Sequence, residues 1–580
     1  MATAGGLGAS GSDNFHFTSY QASDDLSIIH GRHTLQFGFL FDRIDDNFNS
    51  ANIPLGEWDY NSVQDLLTNN PADFTSDFPG TNGARGLRSD IFGTYAQDAI
   101  RLRRNLTVTL GLRYETSTPV SEQNGKVATL VNLTDAAPRT GGAFFNNPTK
   151  RNFAPRVGLA WDPTGSGKTS VRASYGMYDI LPLPYLFINR THSAPFFLQG
   201  TAQAPSPNDF PNQGLSLLTP NTARVAFVQA NPGRAYNQQW NLSIQRQLTS
   251  TTGLTVGYVG SHAVKVPMGI EDMDQVPLSQ VTFGPNGQLM FPIPPGSTFQ
   301  QQVKNIQRIN PNFGRIVGTL WQDYSRYNGL LVNLSQKMSH GFAFQATYTY
   351  SKVTDEGSST FSDNEYLNTA GPSYAFDLKL QNAVSDFNIT QNFVLNGSWN
   401  IPVPHSFEGA SRKILGGWEI GSIFTAHSGV PFTAKLTSDE AFTGNSRVNT
   451  TAGGQRPNFN PGPGCSPNAI NPGQPFNYIK VGCFSFPAPG VLGDLGRNTL
   501  RGPGFADLDF SLFKNISFLE DRYKLQFRAE AFNSLNHTNF GVQTTAVFNG
   551  NGEPLASAGV LQQPTLTTSR QIQLGVKFLF

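Results

Sequence analysis

The feature that most constrains this chain is a two-residue alternation of apolar and polar side chains, repeated along most of its length. Leu106, Val108, Leu110, Leu112 and Tyr114 alternate with Thr107, Thr109, Gly111, Arg113 and Glu115. At the carboxyl end, Ile572, Leu574, Val576, Phe578 and Phe580 share one face, while Gln571, Gln573, Gly575 and Lys577 share the other. Only Leu579 breaks that second pattern. A period of two is the signature of an extended strand, since successive side chains point to opposite faces. Soluble sheets alternate too, so the contents of the faces decide between the two cases. A packed core would reject a face bearing Arg113 and Glu115 beside Thr and Gly, whereas a hydrated barrel interior accepts it. The apolar face has about the 9 to 11 residues that a tilted strand needs to cross hydrocarbon.

Composition points the same way. Charged residues make up 14% of the chain, while Phe numbers 45 and Gly 58. Ordinary soluble domains carry about a quarter charged residues. The hydrophobic fraction is only 38%, and no run of about 18 apolar residues occurs, so any membrane crossing is made by strands. Lys plus Arg (41) and Asp plus Glu (40) nearly cancel, which removes the basic field that nucleic-acid binding requires. Cys465 and Cys483 stand in a Pro/Gly-rich stretch and read as one loop disulfide of an oxidising compartment, or as two free thiols. Their spacing matches no zinc pattern. The first twelve residues have no basic or apolar signal region, although an exported barrel is expected to carry one.

Along the chain the alternating segments fall into hairpins. Residues 15–29 turn at His30-Gly31-Arg32 into Leu35, Phe37, Phe39 and Phe41; residues 92–100 turn at Arg103-Arg104-Asn105 into the run from Leu106. Residues 156–161 and 170–178 flank Asp162-Pro-Thr-Gly-Ser-Gly-Lys-Thr169. That turn mimics a phosphate loop but has Asp162 where Gly is needed, and strands on both sides, so it reads as a hairpin turn. Further pairs involve Trp240 to Leu248 with Leu254 to Tyr258, Leu330 to Leu334 with Phe342 to Tyr350, and Phe393 to Ile401 with Trp418 to Phe424. Leu508 to Leu512 and Tyr523 to Ala531 precede the terminus. Between the pairs lie long irregular stretches, at 179–234, up to about Arg326, and 427–504. Short turns alternating with long loops predict an all-β, antiparallel transmembrane β-barrel with short periplasmic turns and long extracellular loops. The pattern gives roughly 14 to 18 strands.

Several segments together resemble the Oar-like TonB-dependent transporter barrels of Gram-negative outer membranes. They are Asn152-Phe-Ala-Pro-Arg-Val-Gly-Leu-Ala-Trp-Asp-Pro163, Gly167-Lys-Thr-Ser-Val-Arg-Ala-Ser-Tyr-Gly176, Tyr236-Asn-Gln-Gln-Trp-Asn-Leu-Ser-Ile-Gln-Arg246 and Val256-Gly-Tyr-Val-Gly-Ser261. Tyr348-Thr-Tyr-Ser-Lys352, Gly429-Val-Pro-Phe432 and Ala529-Glu-Ala-Phe-Asn-Ser-Leu-Asn-His537 add to the match. The resemblance implies an outer-membrane receptor with about 22 strands, a plug, a box that touches TonB, and often a carboxypeptidase-regulatory-like domain. Residues 1–580 supply the barrel part of that plan, so the chain is expected to be the C-terminal portion of such a receptor. TonB is an expected partner only where a plug and box accompany it. The resemblance also implies that the aromatic end formed by Ile572, Leu574, Val576, Phe578 and Phe580 is read by the barrel-assembly machinery.

Catalytic patterns are missing from the sequence: there is no Gly-x-Ser-x-Gly elbow, no His-Glu-x-x-His and no convincing carboxylate pair. Asp507 and Asp509 read as lumen-facing, solvated residues. The expected function is substrate uptake by a receptor barrel with no cofactor, with outer-membrane lipid as its surroundings and a substrate that the residues do not specify. A passive porin and a surface adhesion or structural barrel are the alternatives.

Overall fold

A computed structural model describes residues 13–51, 53–60, 63–358, 372–404, 406–446, 454–518, 522–541, 545–561 and 565–580. Its dominant element is one sheet of eighteen strands. Three of these, at Ser121–Glu122, Arg224–Val228 and Ala383–Val384, are short. The other fifteen form a continuous wall, labelled here in chain order. They are β1 (Asp13–His30), β2 (His33–Ser50), β3 (Ala84–Arg103), β4 (Leu106–Ser117), β5 (Phe153–Trp161), β6 (Thr169–Asp179), β7 (Tyr236–Gln247) and β8 (Thr252–Ile270). β9 (Arg315–Ser339), β10 (Phe342–Asp355), β11 (Gln391–Asn400), β12 (Trp418–His427), β13 (Phe505–Phe518), β14 (Tyr523–Phe532) and β15 (Gln571–Leu579) complete it. Each pairs antiparallel with the next in sequence.

Register keeps the two faces apart. In the β4/β5 ladder Leu110 faces Val157 and Leu112 faces Pro155, while Thr109 faces Gly158 and Gly111 faces Arg156. Leu110 and Leu112 are about half exposed, as are Leu242 and Ile244 on β7. Large apolar groups left open in a regular row belong against hydrocarbon rather than water. The short turns all lie at one end of the wall. Three of them span two residues; in the one that joins β9 to β10, His340 and Gly341 both have positive φ (53° and 79°), the backbone of a type I′ hairpin whose twist matches its strands. A Cβ on Gly341 would also meet the carbonyl oxygen of Asn400 at 2.4 Å.

The core sits at the other end. Buried apolar residues gather into four clusters built from the long loops and the strand ends that enter them. One joins Phe432, Tyr478, Phe484 and Leu500 to Val547 and Phe548, so two separate loops share an interior. Another packs Phe144, Phe145 and Phe187 against Trp321, with ring centroids 5.1 to 6.2 Å apart. These loops form a cap.

The strands feeding the cap outrun the sequence pattern. β9 begins at Arg315, where the alternation suggests loop up to about Arg326. Its first seven residues, Arg315 to Trp321, are all buried, so both faces are packed and the apolar/polar alternation that marks a wall strand is absent there. The stretch 179–234, expected as an irregular loop, pairs in two places. Gln199–Gln203 runs antiparallel to Asp73–Asp77, and Arg224–Val228 lies parallel to the start of β9. Five-residue pieces with distant partners carry too little periodicity to be read locally.

Candidate functional site

Two regions carry the chain's polar chemistry: the inner face of the wall and the interior of the cap. On the inner face, polar side chains bond to one another both along single strands and across neighbouring ones. Arg113 donates to Glu115 at 2.6 Å, and Ser19 and Gln21 both donate to Asp42, at 2.6 and 3.1 Å. Gln526 donates to Asn515 at 2.8 Å, and Arg528 to Gln526 at 2.6 Å. Tyr95 reaches over β2 to donate to Asp25 at 2.7 Å. That crossing depends on Gly38, where a Cβ would lie 2.2 Å from the Asp25 carboxylate and 2.4 Å from the Tyr95 ring. Asp509 accepts from the backbone of Asn533 at 2.9 Å. The result is a hydrated, charge-bearing surface of mixed sign.

The cap is held by buried ions. Arg497 is 3% exposed. It donates through Nε to the carbonyl oxygen of Gln381 at 2.8 Å and through Nη1 to Ser358 and Asp386 at 3.1 and 3.4 Å. Its Nη2 donates to the backbone oxygen of Asp355 at 3.0 Å and to the Asp355 carboxylate. One guanidinium therefore ties the loop 428–504 to the end of β10 and to the loop that follows it. Asn498 beside it donates to Asp386 at 2.6 Å.

A second lock is acidic. Asp272 accepts from Asp274 and Ile316 backbone amides at 2.8 and 3.3 Å, and from the Ser446 amide and hydroxyl at 3.0 and 2.6 Å. Burial, and after it the neighbouring Asp272, pushes the Asp274 carboxyl up to about 7. Burial likewise pushes Glu440 up to about 7. Because Asp272 oxygens already face N–H and O–H donors, this arrangement clamps loops rather than receiving a cation. Among the described residues no group of three or more His, Cys, Asp or Glu is placed to hold a metal.

A third cluster is basic. Arg224 and Arg315 are register partners in the parallel pairing, and both donate to the Gln199 side-chain oxygen, at 3.3 and 3.4 Å. Glu271 accepts from Arg315 at 3.3 Å. Burial, and then Arg224, Arg85 and Arg315, hold His192 down to about 3, so it is neutral where the cell lives. Its ring lies 4.3 Å from that of Phe197.

The residues singled out in the sequence fall as follows. Cys465 and Cys483 are joined, with sulfurs 2.02 Å apart and a separation of 18 positions in sequence; Cys483 lies in the cluster around Phe432. Ile572, Leu574, Val576 and Phe578 face Ala531, Ala529, Phe527 and Leu525 of β14, and are 52 to 77% exposed. Phe580 lies beyond β15, 94% exposed, its ring 6.2 Å from Phe578. The turn after Trp161 is no phosphate cradle. The Asp162 carboxylate accepts from the amides of Thr164, Gly165 and Gly167 at 3.1, 3.0 and 2.7 Å, filling the nest an anion would need. The cap ions were not visible in the sequence, because Arg497 meets partners more than a hundred residues away.

If Arg497 locks the cap, Arg497→Met leaves Asp355 and Asp386 buried beside no cation and costs the cap about 3 to 5 kcal/mol. Limited proteolysis of membrane-embedded protein should then cut within 428–504 much faster, while the wall keeps its heat-modifiable mobility. Unchanged resistance of that loop would contradict the assignment.

The family model described as an outer membrane beta barrel domain matches residues 2–573. No curated protein matches the chain. Among solved structures, the chain is similar to the outer membrane transporter YddB from Escherichia coli, at 11% identity and a TM-score of 0.49, covering 97% of this chain and 54% of that one. The siderophore receptor PirA from Acinetobacter baumannii gives 9% identity and a TM-score of 0.45, covering 97% and 55%. The ferric citrate transporter FecA in its unliganded form gives 10% and 0.43, covering 98% and 55%. The chain thus spans about half the length of these structures. With the family model matched across nearly all of it, this chain belongs to the outer membrane β-barrel domain family, and its place is the outer membrane.

Proposed function

We propose that this chain is the barrel portion of a TonB-dependent receptor of the Oar-like kind, one that takes up an unidentified substrate through a barrel of about 22 strands. Three things support the reading: the Oar-like segments, the family, and above all the combination of a charge-lined inner face with a packed cap. A passive pore needs a mouth open to water, and a surface adhesin needs no hydrated lumen. A receptor needs both a polar passage and a structured outer surface that meets its substrate. TonB would engage the receptor through a plug and its box. Liposome swelling with L-arabinose separates the first two readings: protein extracted from the outer membrane should give no swelling above lipid alone, and swelling at porin rates would establish a passive pore instead.

Assembly forms part of the same proposal. The aromatic end built from Ile572, Leu574, Val576, Phe578 and Phe580 serves as the signal read by the barrel-assembly machinery. Because Phe580 is 94% exposed, deleting it should cost an assembled barrel no more than about 1.5 to 3 kcal/mol. In cells, the amount of heat-modifiable protein in the outer membrane should fall far more than the stability of what assembles. Normal assembly with slightly reduced stability would assign Phe580 to lipid contact alone.

A further inference from the structure

Seven connections join consecutive wall strands at the short-turn end, and six of them span two to seven residues. The exception is 401–417, between β11 and β12, which carries a helix, α1 (Gly409–Leu415). Every residue of α1 is exposed, with Ile414 at 67% and Leu415 at 47%. A helix this short does not hold in water unaided, and this one buries no apolar face of its own. Its support comes from the wall.

Lys514 gives that support and fixes where α1 lies. On β13 it shares a face with Leu508, Phe510 and Leu512, and its register partners are Trp418 of β12 and Phe527 of β14. This is the outer, apolar row. Yet Lys514 is 8% exposed where Phe510 is 37% and Phe527 43%, because the end of α1 covers it. Its Nζ donates to the carbonyl oxygens of Lys413 and Ile414 at 2.6 and 2.7 Å, and to that of Gly416. An ammonium has three hydrogens to give, and a helix C-terminus has unpaired, partly negative carbonyls to receive them. Trp418 Nε1 donates to the Ile414 carbonyl at 3.1 Å, and the Asn515 amide donates to the Gly417 carbonyl at 2.7 Å. Thus α1 is docked on the lipid side of the wall, beside the first residue of β12, where hydrocarbon gives way to headgroups on the periplasmic side.

The helical period sets two chemistries apart on this docked helix. Arg412 and Lys413 fall on one side of α1, and Ala410, Ile414 and Leu415 on the other. We infer that α1 is an interfacial anchor for anionic phospholipid of the periplasmic leaflet, with Arg412 and Lys413 at headgroup phosphates and Ile414 and Leu415 among the acyl chains. Two cations opposite two exposed aliphatic side chains match the boundary between phosphate and hydrocarbon. Phospholipid is the occupant because α1 lies against the same outer face that lipid covers. The inference rests on the placement of the barrel in the outer membrane and not on uptake of any substrate.

Nanodiscs carrying the full chain test it. Replacing about a third of the phosphatidylcholine by phosphatidylglycerol should slow amide exchange across 409–416 roughly fivefold or more relative to β7. In a variant keeping Trp418 alone, brominated phosphatidylglycerol should half-quench the fluorescence at a mole fraction about fivefold below that of brominated phosphatidylcholine. Arg412→Gln combined with Lys413→Gln should abolish both differences and leave heat-modifiable mobility unchanged, since neither side chain takes part in the docking to Lys514. Equal exchange and equal quenching in the two lipids would overturn the inference, and so would a preference for phosphatidylglycerol that survives the double variant. Slow exchange of α1 in isolated outer membranes but in neither nanodisc would give this face to a protein partner and overturn it too. The exchange measurement uses the unaltered chain, so it decides the matter even if the single-tryptophan variant fails to assemble. No readout involves passage of a solute, so this inference and the proposed function fail separately.

Discussion

Backbone hydrogen bonding in hydrocarbon is the constraint on which the rest of this structure depends. A peptide group stripped of water and left unpaired costs several kcal/mol, so a segment crosses lipid only if a neighbouring strand accepts and donates along its whole length. Fourteen consecutive ladders join β1 to β15. Pairing in turn fixes register, because a slip by one residue would turn Thr109 and Arg113 toward lipid and Leu110 toward the lumen. The polar inner face is thus a by-product of keeping the outer one apolar, and it is the surface on which any passage must be built.

The wall and the cap are stabilised by different means. Wall side chains need no core of their own, since lipid covers the outer face and water the inner one. The cap stands outside the bilayer and must bury its own apolar surface, which it does through Phe144, Phe187, Trp321 and Phe432 and their neighbours. Its buried ions carry a different cost. Arg497, Asp355 and Asp386 are each at most 3% exposed, and charges so placed are stable only while paired. Such a lock holds one loop arrangement in preference to others, and breaking a single partner frees several loops together. That coupling is what a receptor surface needs if loop movement accompanies binding.

Legibility in the sequence followed the same division. Where one face meets lipid and the other water, as in β4 and β15, the alternation marked the strand and its faces to within a few residues. Where both faces are packed, as in Arg315 to Trp321, the alternation vanishes and the strand was hidden. The cap was invisible as a folded unit, for its pairings join residues 199–203 to 73–77 and Arg497 to Asp355, distances along the chain at which no local pattern survives. Cys465 and Cys483 were the exception, being chemically distinctive and close in sequence. Gly38 could be seen only as one more glycine, since its role depends on Asp25 and Tyr95 arriving from two other strands.

The claim that the outer face meets lipid while the core lies in the cap is tested most directly by tryptophan quenching with brominated lipids. Trp399, on the outer face of β11, is 41% exposed, whereas Trp321 is 3% exposed within the cap. In variants retaining one of these tryptophans alone, Trp399 fluorescence should be strongly quenched in brominated bilayers and Trp321 fluorescence left as it is in ordinary lipid. Equal quenching of the two, or quenching of Trp321 alone, would contradict this account of the molecule.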